Sequence, residues 1–125
     1  MKIVKLLSEN WIQADGYRKN VMVSPDELKQ KGSLAQIVVV GPGSQVKPHY
    51  HKKTCEIICV IEGQAMVSIN DKSVLTRPHD IILTEPNDIH SVDNNGDADW
   101  KAIVFKTNAS SNDSYWVELK PDEKD

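Results

Sequence analysis

From residue 34 onward the apolar positions recur in short runs separated by turn-forming residues. Residues 36–40 form one such run, closed by Gly41-Pro42-Gly43, and runs at 46–51 and 56–61 follow. Over 65–70, Ala65, Val67 and Ile69 alternate with Met66, Ser68 and Asn70, the period of two that sets one face of a strand against a core. Asn70-Asp71-Lys72 turns the chain. Runs at 74–76, 81–84, 89–92 and 101–107 complete the set, with another turn at Asn94-Asn95-Gly96-Asp97. Many short strands at this spacing predict an all-β sandwich or barrel. Upstream, residues 3–7 read as a first strand, and 11–14 with 17–23 as a hairpin about Asp15-Gly16. Ser24-Pro25-Asp26-Glu27 supplies an N-cap, a proline at the first helical position and a capping-box glutamate. It predicts one short helix over 25–31, stopped at Gly32. Beyond residue 110 a polar stretch leads to Tyr115-Trp116-Val117 and then to the charged residues 120–125. A frayed terminus and a strand over 115–119 are equally open readings.

The chain has 125 residues, the size of a single domain with one core. We expect one domain over 1–125, with a core barrel over about 34–107, N-terminal strands and the short helix over 1–33, and a C-terminal tail over 108–125. The net charge of −3 leaves no basic footprint, which argues against nucleic acid as a partner. No apolar run is long enough to span a bilayer, so no membrane partner is expected. The opening residues turn polar too soon for a secretory signal, and the expected location is cytoplasmic. Asn108-Ala109-Ser110 and Asn112-Asp113-Ser114 are read as chance sequons. Cys55 and Cys59 lie about 13 Å apart along one strand at ~3.3 Å per residue, too far for a disulfide. They read as small apolar residues.

The candidate chemistry lies between Gly43 and Gly63. His49 and His51, two residues apart, present both imidazoles on one face of a strand. Glu56 is at an odd offset, so an unbroken strand would send it to the other face. The polar Lys52-Lys53-Thr54 can turn the chain and return its carboxylate to the imidazoles. Two neutral nitrogens and one anionic oxygen suit a divalent transition metal. If Glu56 points inward, so do Ile58 and Val60, while Cys55, Ile57, Cys59 and Ile61 form an outward apolar row. Such a row is rarely left in water, and either the N-terminal segment or a second subunit should cover it.

This stretch resembles the first motif of the cupin superfamily: Gly, five residues, His-x-His, three or four residues, Glu, six residues, Gly. Gly43, His49, His51, Glu56 and Gly63 meet each term. The stretch from Asp80 through Pro86 and His90 to Asn94 resembles the second motif. It departs from that motif with Asp80 and Asp88 in place of two glycines and a Pro86-to-His90 interval one residue shorter. The resemblance implies a double-stranded β-helix, or jelly-roll, barrel in a single copy. It also implies His90 as a fourth ligand beside His49, His51 and Glu56, and Asn94 as a loop-shaping residue. Such a set can hold Fe, Mn, Zn, Ni, Co or Cu. The residues do not choose among these metals.

The resemblance further implies a small-molecule ligand or substrate and a homodimer. Cupins of this ligand set include dioxygenases, decarboxylases, isomerases and lyases. Non-catalytic binding or sensory modules, and storage proteins, share the barrel. Glu56 is the one candidate catalytic residue, as a base if it leaves the metal. His79, in Arg77-Pro78-His79-Asp80, reads as exposed, and Tyr50 as facing away from the site. Ile58, Val60, Val67 and Val104 predict a small, largely aliphatic pocket around the metal.

Overall fold

A computed structural model describes residues 1–117 of the chain. The early strands are β1 (Ile12–Gln13), β2 (Arg18–Val23), β3 (Leu34–Val40), β4 (Gln45–Tyr50), β5 (Cys55–Glu62) and β6 (Ala65–Ile69). They are followed by β7 (Lys72–Thr76), β8 (Ile81–Thr84), β9 (His90–Asp93), β10 (Trp100–Thr107) and β11 (Tyr115–Trp116). They form two antiparallel sheets, one of six strands ordered β1-β2-β3-β10-β5-β8 and one of five ordered β11-β4-β9-β6-β7. From β3 to β10 the chain changes sheets at every connection except the β6–β7 hairpin. This is the jelly-roll path that the sequence pattern leads one to expect.

Alternation sets the core. On β5, Glu56, Ile58 and Val60 are buried while Ile57 and Ile61 are exposed. The inner faces of both sheets meet in a cluster that includes Val38, Val40, Val60, Val67, Trp100 and Ala102. Each such valine contributes about 1.5–3 kcal/mol relative to exposure. Trp100 is 1% exposed, and its indole N–H donates to Thr76 Oγ1 at 3.2 Å. The polar edge of the largest core side chain is therefore satisfied.

Two turns bracket β8, one at each end. In Arg77-Pro78-His79-Asp80, His79 has φ 81°, and the Asp80 carboxylate accepts the Arg77 N–H at 2.9 Å. In Glu85-Pro86-Asn87-Asp88, Asn87 has φ 72°, and Asp88 accepts the Glu85 N–H at 2.9 Å. Each has proline at the second position and a left-handed residue at the third. The two aspartates that stand where the motif has glycine thus close turns with their side chains. The second turn is tied to the site directly, because Asn87 N–H donates to the His51 carbonyl at 2.6 Å.

Three local expectations are corrected. Residues 3–7 form no strand: Ile3, Val4, Leu6 and Leu7 are exposed, and a 3-10 turn follows at Ser8–Asn10. The edge of β3 is already taken by β2, and the edge of β2 by β1. The segment is held instead by Asn20, whose amide donates to the Leu7 carbonyl at 2.9 Å. The helix α1 spans Pro25–Leu28 and stops short of residue 31 because Lys29 takes a left-handed conformation (φ 55°). Its capping box between Ser24 and Glu27 forms as the sequence indicates. The tail is not frayed through residue 117: β11 pairs with β4, Tyr115 opposite Tyr50 and Trp116 opposite His49. The proposed strand end at 118–119, and residues 120–125, lie outside the described residues.

Candidate metal centre

His49 lies on β4, His51 just beyond it, Glu56 on β5 and His90 at the start of β9. The register brings them together, with His49 directly opposite His90. One ligand-type atom from each of the four residues lies within 4.8 Å of the others. That is little more than the ~4.2 Å between trans ligands at metal–ligand bonds of ~2.1 Å. His51, Glu56 and His90 are buried, and His49 is half-buried beneath Trp116 at 5.0 Å between ring centroids.

Second partners fix all three imidazoles. His49 Nδ1 donates to the Lys47 carbonyl at 2.8 Å, His51 Nδ1 to the Asp113 carbonyl at 2.7 Å and His90 Nδ1 to the Asp88 carbonyl at 2.9 Å. A carbonyl oxygen only accepts, so each Nδ1 carries the ring proton and each Nε2 presents its lone pair. The Nε2 atoms of His51 and His90 lie 2.5 and 3.4 Å from Glu56 Oε1, yet both are buried with no hydrogen bond of acceptable geometry. Lone pairs facing a carboxylate at that range repel unless a cation lies among them. A proton can meet that need in part and a divalent metal ion in full, so the residues fit a metal.

The charges follow the same geometry. Burial opposes ionisation of Glu56, but the His51 and His90 imidazoles outweigh it and hold its carboxyl far below the usual range, helped by Lys106. Lys106 sits directly across the ladder from Glu56. Burial, aided by repulsion from His90, lowers His49 to about 4, so it is neutral at physiological pH. For His51, burial disfavours the charged form, but Glu56 outweighs it and the net shift is upward.

Residues 36–106, more than half of the chain, match the cupin domain family. The chain belongs to the cupin family. Over 83 residues this cupin is 28% identical to the oxalate-binding protein of Thermotoga maritima, covering 66% of this chain and 69% of that protein. Among solved structures, it superimposes on a predicted oxalate decarboxylase from T. maritima with a TM-score of 0.78 at 20% identity, covering 85% of this chain and 98% of the other. It matches a cupin-superfamily sugar phosphate isomerase from Silicibacter pomeroyi with a TM-score of 0.70 at 20% identity, covering 84% and 68%. At those identities the two structures share the fold.

The sequence pattern missed three features of the site. The first is Asp113, which is 5% exposed. Its carboxylate accepts the backbone N–H groups of Lys52, Lys53 and Thr54 at 2.8–2.9 Å and the Thr54 hydroxyl at 2.7 Å. It therefore closes the turn that returns Glu56 to the histidines, while its own carbonyl orients His51. The second is the cavity wall. A cavity of about 110 Å³ opens on the four residues, and Ile58 and Val104 line it as expected. Val60 and Val67 lie in the core instead. Tyr17, Lys19, Gln36, Lys106 and Ser114 make the wall more polar than expected. The third is Trp116, which lines the cavity from β11.

Elsewhere, Asn94 is fully buried and bonds the Val40 and Ala98 carbonyls and the Gly96 N–H, as a loop-shaping residue should. His79 is exposed, Tyr50 stacks on Tyr115 away from the cavity, and Cys55 and Cys59 are free. Among the described residues, no helix is long and apolar enough to cross a membrane.

Proposed function

We propose that this cupin is a metal-dependent enzyme acting on a small molecule, with His49, His51, Glu56 and His90 as ligands of one divalent transition metal. One observation carries the reading: three imidazoles have Nδ1–H committed to carbonyls, two of them hold Nε2 beside the Glu56 carboxylate, and one ligand-type atom from each of the four residues lies within 4.8 Å of the others. A surface cluster gains nothing from such an arrangement. A bound divalent ion supplies Lewis acidity, and a redox-active one also exchanges electrons. The chain supplies the rest. Among the described residues Glu56 is the only carboxylate lining the cavity, so it is the group that takes a proton from a bound molecule if it leaves the metal. Trp116 lines the cavity and packs its ring against His49, adding an apolar surface beside that ligand. Dioxygenase, decarboxylase, isomerase and lyase chemistry are all compatible with these parts.

The name of the oxalate-binding relative favours a second reading, binding without turnover. One experiment separates the two. The protein is loaded in turn with Fe(II), Mn(II), Co(II), Ni(II), Cu(II) and Zn(II), and a library of small metabolites is followed by NMR. Consumption of a compound that His51→Ala abolishes supports the enzyme. Ligand line-broadening without consumption under any metal supports the binding module. Neither effect with any metal contradicts both.

We further propose a single-domain homodimer acting in the cytoplasm. The outward residues Ile57, Leu83 and Phe105 are neighbours across β10, β5 and β8 and are 40%, 53% and 43% exposed. A second copy packed on that face would remove them from water. The two free cysteines fit a reducing compartment. Sedimentation should give a dimer that Phe105→Glu converts to monomer; a monomeric parent at every concentration contradicts the assembly.

A further inference from the structure

We infer that the cavity beside the four metal-type residues binds a small carboxylate anion, and that Lys19 and Lys106 select it with Gln36. The inference deepens the reading above and rests on the same cavity. Lys19 enters from β2 and Lys106 from β10, and both half-buried side chains line the wall. Alternation accounts for their direction. Lys106 shares the inward face of β10 with Val104, and Lys19 stands opposite the inward Val38. Among the described residues Glu56 is the only acidic one on that wall. The two ammonium groups and one carboxylate therefore leave one excess positive charge, to which any divalent ion adds.

Among the described residues, neither ammonium is in an ion pair. Burial, and then repulsion from Lys106, make the charged form of Lys19 harder to hold, with Glu56 partly offsetting both. Two like charges in a half-buried wall are unfavourable unless an anion joins them.

Gln36 adds a neutral polar group to the same wall. It is 5% exposed overall and lines the cavity from β3. A side-chain amide carries two N–H donors that a molecule held in the cavity can use. On β3, between β2 and β10, it stands where its N–H groups can meet an anion held by the two lysines.

Size narrows the anion further. The cavity of about 110 Å³ is floored by Val38, Val46, Ile58, Val92 and Trp100. It is well below the ~300 Å³ at which drug-sized sites begin, so it suits a carbon skeleton of a few atoms. A long lysine can also lie along a wall and carry its charge to solvent. That alternative predicts no effect of either lysine on binding.

The test is calorimetric titration of the Mn(II)-loaded protein with malonate, with malonamide as its uncharged counterpart, and with inorganic phosphate. Metal content is measured after each run. The parent should bind malonate at least tenfold more tightly than malonamide and more tightly than phosphate. Lys19→Gln and Lys106→Gln should each weaken malonate about tenfold, as expected for one charge-assisted hydrogen bond. Malonamide binding, metal content and Tm should not change, and Lys19→Arg and Lys106→Arg should keep the preference.

Unaltered malonate binding in the double Gln variant overturns the inference. If removing the metal still abolishes binding in that case, the metal reading survives alone. Tighter binding of phosphate than malonate overturns the carboxylate assignment. A lysine-dependent preference for malonate that persists in metal-free protein upholds the anion site and counts against the metal.

Discussion

Replacing Asp113 with alanine should weaken the barrel and the candidate metal site together, although Asp113 is not a candidate ligand. Its carboxylate is the acceptor for three backbone N–H groups and one hydroxyl in the Lys52-Lys53-Thr54 turn. Lys52 and Lys53 are exposed, so water can replace the lost acceptor there at about 0.5–1 kcal/mol each. Thr54 is 2% exposed, and its N–H and hydroxyl would be stranded at about 1–2 kcal/mol each. The four contacts share one carboxylate and are not independent, so we expect a total of about 3–5 kcal/mol. That is a large part of the ~5–15 kcal/mol stability of a typical domain, but not all of it.

Asp113→Asn keeps the shape and one acceptor oxygen and should lose less, about 1–2 kcal/mol. Urea denaturation at pH 7 measures both variants. The pH dependence gives a second check. Burial opposes ionisation of Asp113, but the hydrogen bonds from Thr54 and the turn outweigh it and hold its carboxyl below the usual range. Its stabilisation is therefore fully present above the unfolded pKa of ~3.9 and is lost as pH falls through the lower folded value. Asp113→Asn should flatten that acid limb. Because the turn sets Glu56 and the Asp113 carbonyl orients His51, metal affinity should fall about 10–100-fold in the alanine variant. An alanine variant that loses less than 1 kcal/mol and keeps its metal affinity would refute the bracing role.

Metal affinity should rise with pH and go on rising above 6.5. A proton on His51 competes for the same Nε2 lone pair, and its pKa is raised because Glu56 outweighs burial. His49, lowered to about 4 chiefly by burial, contributes no competing proton in that range. Chelator competition between pH 5 and 8.5 measures this, and a flat profile contradicts it. Gly63 and Gly43 offer a paired test, since both have positive φ, +76° and +75°. A Cβ on Gly63 would lie 2.1 Å from the Asp99 carbonyl oxygen, whereas one on Gly43 meets nothing within 4 Å. Gly43→Ala should cost about 1–2 kcal/mol for the dihedral alone. Gly63→Ala should cost about 3 kcal/mol or more. Equal melting shifts for the two would show that the close approach to Asp99 is not rigid.

The strands were legible because each carries its own evidence. Ala65, Val67 and Ile69 alternate within five residues, and Val38 and Val40 repeat the period on β3. The meeting of His49, His51 and Glu56 was legible for a similar reason, since a two-residue step and a polar turn are local features. Contacts that join distant parts of the chain left no such trace. Asp113 reaches the 52–54 turn from about 60 positions away, and no spacing rule marks an aspartate in a polar tail as a brace. Lys19 and Lys106 were hidden because a charged residue at an inward position reads as the end of an apolar pattern. Residues 3–7 misled in the opposite sense. Their side chains favour a strand, but a strand also needs a free edge, and β1 and β2 occupy the one beside β3.

The central claim is that His49, His51, Glu56 and His90 hold one metal ion. Elemental analysis of the untagged protein, beside a His49→Ala/His51→Ala variant of matched Tm, tests it most directly. The account predicts close to one equivalent of a divalent transition metal in the parent and almost none in the variant. A parent that holds no metal even after reconstitution, or a variant that keeps the full equivalent, contradicts it.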